Sequence, residues 1–171
     1  MTLIIILLVL VIIAGTLGII YVINYNRMKY INSKIEQATS IIEESLDKSY
    51  DLIVDASNII NEKLNDNKDY FKEYVNLKNK KLSNFNKDKK IGEAVTLIKN
   101  LYDDNKDINK NKDIKKIIKE LKDINEKYTA AKNFFNKNTT ELNELINKFP
   151  SSVVAKINGY KISQLFEAKQ K

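Results

Sequence analysis

The stretch "LIIILLVLVIIAGTLGIIYVI", Leu3 through Ile23, constrains this chain more than any other feature, because its only polar interruption is Thr16. About 21 residues at 1.5 Å each extend roughly 31 Å as a helix, the thickness of a hydrocarbon core. A cleaved secretory leader needs a basic start, a shorter apolar centre and a small-residue exit. Only Met1 and Thr2 precede the run, and it leaves through "YVINYNRMKY" with no small-x-small site. The expectation is an uncleaved anchor over residues 1–24, spanning the membrane through residues 3–23. Arg27, Lys29 and Lys34 follow the run and no side-chain cation precedes it. The positive-inside rule then puts the remainder, 25–171, in the cytoplasm of a single-pass membrane protein.

That remainder has little of the equipment of common enzymes. Neither cysteine nor histidine occurs in the 171 residues. Disulfides, thiolate nucleophiles, the usual zinc ligands and the commonest general base near neutral pH are thereby removed. No pair of carboxylates has a spacing that singles it out for acid–base work, so no catalytic, cofactor-binding or metal site is assigned and the chain is not expected to be an enzyme.

Glycine and proline are too scarce for a β-rich fold, which needs tight turns: after the run only Gly92, Gly159 and Pro150 occur. Apolar residues at Ile31, Ile35, Ala38, Ile42, Leu52, Ala56, Ile59 and Ile60 recur every three or four positions and predict one long helix, its stripe weakening at Ser45 and Ser49. Phe71, Tyr74, Val75, Leu77 and Leu82 continue the pattern. The helix is therefore expected to run on from the anchor to about Leu82, with a kink allowed at 65–69. A turn over 83–90, a short helix Gly92–Tyr102 and a loop over 103–113 follow. A third helix carries Ile114, Ile117, Ile118, Leu121, Ile124, Tyr128, Ala131, Phe134, Phe135, Leu142, Leu145 and Ile146 and halts at Pro150. Such stripes cannot be buried singly, so the expected class is all-α: a transmembrane helix followed by an antiparallel long-helix bundle. Beyond Pro150, Ser151 or Ser152 is expected to cap a short segment whose Val153, Val154, Ile157, Tyr160, Leu165 and Phe166 fold back over the bundle end, with Gly159 permitting the turn.

Four patterns invite a site. Asp103, Asn105 and Asp107 repeat the start of an EF-hand, but Ile108 stands where the loop needs glycine and Ile114 where it needs a bidentate glutamate. Lys78, Lys80, Lys81, Lys87, Lys89 and Lys90, in a chain of net charge +7, could face nucleic acid or an anionic surface. Against that, a continuous helix would carry them roughly 80 Å from the bilayer, and lysines elsewhere alternate with acids as on a solvated face. Tyr128, Phe134 and Phe135 read as core rather than as a ligand groove. Ala14-x-x-x-Gly18 is a small-residue pair through which two anchors could approach, which leaves a homo-oligomer open.

The segment "AKNFFNKNTTELNELINKFPSSVVAKINGYKISQLFEA", 131 to 168, resembles the closing region of the LemA family. The matching elements are the Ala-basic-x-Phe-aromatic-Asn start, Asn and Ile ahead of Phe-Pro-Ser, Gly-aromatic-Lys and the terminal Phe-Glu-Ala. "YDLI" at 50–53 and "NEK" at 125–127 are collinear with it, whereas Val54-Asp55-Ala56 and Tyr102-Asp103-Asp104 depart from the family's proline-containing versions. The resemblance implies a membrane-anchored bundle of long helices, a LemA-like domain over 25–171, and a bacterial cell-envelope association without a defined reaction. The reading that follows is a scaffold or adaptor holding other proteins near the membrane. The alternative is a nucleic-acid or anionic-surface binder using the Lys-rich segment 78–90.

Overall fold

The computed structural model describes residues 1–64, 70–76 and 83–166, and among them there is no strand. Among the described residues, six helices follow one another: α1 (Thr2–Leu64), α2 (Lys72–Val75), α3 (Asn84–Asp104), α4 (Lys106–Asn109), α5 (Lys112–Asn147) and α6 (Ser151–Ile157). The all-α expectation holds. The chain divides into two compact units, one formed by Met1–Ala38 with Asn133–Lys171 and the other by Thr39–Lys132. Residues 65–69, the site of the expected kink, lie outside the described residues, as do Lys78, Lys80 and Lys81.

In the unit Thr39–Lys132, Ile42, Leu46, Ile53, Ala56 and Ile60 of α1 are buried, with Leu52 and Ile59 only half-covered at the edge of the stripe. They pack in a core with Ile91, Ala94 and Ile98 of α3 and Ile114, Ile117, Leu121 and Tyr128 of α5. The stripe does not weaken at Ser45 and Ser49, because both are buried. Ser45 returns its hydroxyl to the Ile41 carbonyl at 2.7 Å, so a small polar residue is buried without leaving its donor unmatched. The α1 and α5 segments run antiparallel here: Lys127 meets Glu44 at 3.6 Å, while Asp113, Lys116 and Ile117 share a shallow cleft with Asp55, Asn58 and Ile59.

Three expectations in this unit are corrected. The first helix is described to Leu64 and residues 70–71 form a turn, so it does not run unbroken toward Leu82; Leu77 and Leu82 lie outside the described residues. Phe71 is fully buried in a turn whose carbonyl accepts from the amides of Tyr74 and Val75. Tyr50 donates its hydroxyl to the Val75 carbonyl. The segment 70–76 therefore doubles back beside α1. Residues 84–90, expected to turn, form the first turns of α3, because Ser83 caps it by accepting from the Asn86 amide at 3.4 Å. Within the expected loop 103–113 lies α4, whose Ile108 is 1% exposed and inserts as an apolar plug. The Asn111 side chain then starts α5 by accepting from the amides of Asp113 and Ile114 at 2.9 and 3.1 Å.

In the other unit, Met28 and Ile31 of α1, Leu142 and Leu145 of α5 and Val154 and Ala155 of α6 form one cluster, flanked by Tyr21, Tyr25, Ile35, Ile146 and Tyr160. Phe134, expected in the α5 stripe, is 43% exposed. Its neighbour Phe135 takes the inward position and meets Phe166 edge-on at 5.2 Å, followed by the buried Asn138 and Thr139. The same unit carries the apolar run as the start of α1. That helix is long and apolar enough to cross a membrane, and none of its most apolar window is covered.

Candidate functional surface at the C-terminal cap

Asn147 is the last residue of α5, and Pro150, joined to Phe149 through a cis peptide bond, precedes α6. The stop comes where a residue without an N–H was expected to impose it. Ser151 differs from expectation: it is buried and donates to the Lys148 carbonyl at 2.6 Å, which also accepts from the Ser152 amide at 2.8 Å, instead of capping α6. Asn158 closes α6, its side-chain Nδ2 donating to the Val154 carbonyl at 2.8 Å. Gly159, at φ 72°, lies in the left-handed region that glycine adopts without cost, and there the chain leaves the helix.

Residues 160–166 then run extended along α5, and two asparagines clamp them. Asn143 donates to the Ser163 carbonyl at 2.8 Å and accepts from the Ser163 amide at 3.0 Å. Asn136, two turns earlier, does the same to Phe166, at 3.0 and 2.8 Å. A primary amide offers the donor and acceptor of a peptide group, so each clamp supplies a two-bond rung to a segment that belongs to no sheet. These are the asparagines of the resemblance motif, and Phe166 belongs to its terminal Phe-Glu-Ala; Glu167 and Ala168 lie outside the described residues. The motif was legible in the sequence, but its use as a pair of backbone clamps was not, because the spacing 136/143 reads equally well as polar helix surface.

The cap has two faces. Val154 and Ala155 are buried in the cluster, whereas Phe149, Val153 and Ile157 are 79%, 50% and 66% exposed. The expectation that this apolar set folds back over the bundle is thus met by Val154 and Phe166 and corrected for Val153, Ile157 and Leu165. The reason is the width of the helix: a seven-residue α6 turns only one side to the cluster, and apolar residues four apart, such as Val153 and Ile157, share the other. Asn158 is tied to α1 through Tyr21, whose hydroxyl donates to Asn158 Oδ1 at 3.4 Å and accepts from its Nδ2 at 3.1 Å. Tyr21 in turn stacks on Tyr25, ring centroids 6.2 Å apart. Burial, then the neighbouring Tyr25 and Glu36, push the Tyr160 hydroxyl above its ordinary value and keep it neutral. Arg27 pairs with Glu141 at 2.9 Å in the same region.

The other sequence candidates do not converge on a site. Lys87 lies 3.9 Å from Asp47, Lys90 bridges Glu73 and Glu93, and Lys89 is exposed. Asn105 spends its amide on the Leu101 carbonyl at 3.0 Å, so its side chain continues α3 instead of joining Asp103 and Asp107 in a loop. Tyr128 is buried as core, and burial, with a smaller push from Asp88, raises its hydroxyl above the ordinary value. Space beside Gly18 is open, with no atom within 4 Å of an added Cβ. The model of the LemA family matches residues 38–171. No curated protein and no solved structure matches the chain.

Proposed function

The chain belongs to the LemA family, and on that premise we propose that it works as a single-pass, membrane-anchored helical scaffold, its domain on the cytoplasmic side, holding partner proteins at the membrane. One observation carries the anchoring: from Leu3 to Leu17 every large apolar side chain is between 49% and 76% exposed, around the full circumference of α1. A helix apolar on all sides requires an apolar solvent, and a bilayer supplies one. Arg27 and Lys29 just after the run support the cytoplasmic orientation.

The adaptor role is supported by chemistry that is missing as much as by what is present. The polar constellations described above are clamps, caps and surface ion pairs, which hold helices and strap in place, and we assign the chain no reaction. Binding of nucleic acid through the Lys-rich segment is the weaker reading, since Lys87 and Lys90 already face carboxylates.

Two measurements test the proposal. The chain has no cysteine, so Lys122→Cys, at an exposed position of α5, gives a single thiol. An impermeant maleimide should label it only after permeabilisation, and labelling of intact cells would reverse the orientation. In-cell crosslinking with mass spectrometry should recover the same partner proteins repeatedly; recovery of lipids and self-crosslinks alone would sink the adaptor role.

A further inference from the structure

The outer face of α6 is an unexplained apolar surface. Phe149, Val153 and Ile157 are largely exposed, and Lys148, Lys156 and Lys161, all exposed, lie beside them in the chain. Val153 and Ile157, four apart, share the outward side of α6, and Phe149 is exposed two residues before the helix. Their level along α1 is fixed by a contact. Asn158, the residue that closes α6, is hydrogen-bonded in both directions to Tyr21, which sits two residues before the end of the apolar run at Ile23. Within that run, Ile20 and Tyr21 are also partly covered, in contrast to the uncovered residues before them. Tyr21, Tyr25 and Tyr160 pack against the adjoining cluster. Tyrosines collect where apolar and wet surroundings meet, so this is the level of a membrane–water boundary.

From this placement we infer that α6 is a second, interfacial membrane contact: Phe149, Val153 and Ile157 enter the acyl–headgroup boundary beside the anchor, and the neighbouring lysines meet anionic headgroups. The inference rests on the membrane reading of α1. Its energetic logic is that of a monotopic amphipathic helix, in which apolar area and lysine charge act together. Because the anchor already holds the cap at the surface, this short face needs no affinity of its own sufficient for stable binding. The effect is to fix how the cap rests on the bilayer, with α6 as a foot next to the membrane-spanning post.

The chain lacks tryptophan, so single tryptophans report locally. Full-length Ile157→Trp and Phe149→Trp are reconstituted in vesicles of phosphatidylcholine with phosphatidylglycerol, with and without brominated acyl chains, beside Val22→Trp as an anchor control and Lys137→Trp as a solvent control. The inference expects emission from both cap probes to be blue-shifted and to lose as much intensity to brominated lipid as Val22→Trp does. Lys137→Trp should stay unquenched. Raising phosphatidylglycerol should deepen quenching at the cap, and Lys148→Gln with Lys156→Gln should remove that dependence. Quenching of Val22→Trp without the cap probes overturns the inference and leaves the anchor intact, whereas loss at none of the three overturns both. Blue-shifted but unquenched cap probes mean that a second copy or another protein covers this face, and they also overturn it.

Discussion

Two parts of α1 carry apolar residues in opposite arrangements. From Leu3 to Leu17 the large side chains are exposed on every side; from Met28 to Ile60 the buried ones fall at 28, 31, 38, 42, 46, 53, 56 and 60, on one stripe. They differ in overall hydrophobicity and also in its angular distribution. A complete apolar circumference leaves no face for water, and a stripe leaves two thirds of the helix free for lysine, glutamate and asparagine. One continuous α-helix can therefore be designed for two solvents along its length.

The largest effect that would break the comparison is Leu10→Arg with Ile13→Arg. Each cation near the centre of a span costs about 2.5–3.5 kcal/mol, roughly 5–7 together. The protein should leave the membrane fraction on carbonate extraction while keeping its helical circular dichroism and melting; a parallel loss of the melt would mean that the run also supports the bundle. Phe71→Ala should do the reverse, because truncating a fully buried phenylalanine costs about 3–5 kcal/mol. Melting in detergent should fall steeply with membrane retention unchanged.

Smaller changes sharpen it. Asn143→Asp keeps the acceptor for the Ser163 amide but sets a carboxylate against the Ser163 carbonyl, removing one of the two clamp bonds. About 1 kcal/mol of local stability should be lost. Hydrogen exchange should accelerate at the Ser163 amide, with the amides of α3 unaffected. The smallest effect is electrostatic. Hydrogen bonding from Lys48, and then the charges of Lys127 and Lys48, hold the exposed Glu44 below its ordinary 4.5. Its contribution is present above that value and is lost as pH falls through the lowered one. Glu44→Gln should flatten only the acid edge of a stability–pH curve, by an amount limited by solvent screening.

Helix class, the anchor-like run, the stop at Pro150 and the family resemblance were all legible because each depends on local chemistry: periodicity, run length and a missing N–H. The misreadings share a physical cause. The turn at 70–76 keeps helix-like apolar spacing, and only the burial of Phe71 shows that its residues serve a separate return of the chain. Residues 84–90 look like a turn by composition, but an N-cap at Ser83 outweighs propensities that are only tenths of a kcal/mol per residue. The clamps of Asn136 and Asn143 were hidden because a side-chain amide does not announce which backbone it will pair with.

The clamped strap also orders the way the chain can be assembled. The unit Thr39–Lys132 has all its residues once Lys132 has been synthesised. The cluster around Met28 and Ile31 must wait for Val154 and Ala155, and its strap waits for Phe166. Units of a chain fold as their residues emerge, so on the proposed anchoring the apolar run meets the membrane with its neighbouring core still open. That core closes afterwards, around a helix whose N-terminal part was made first.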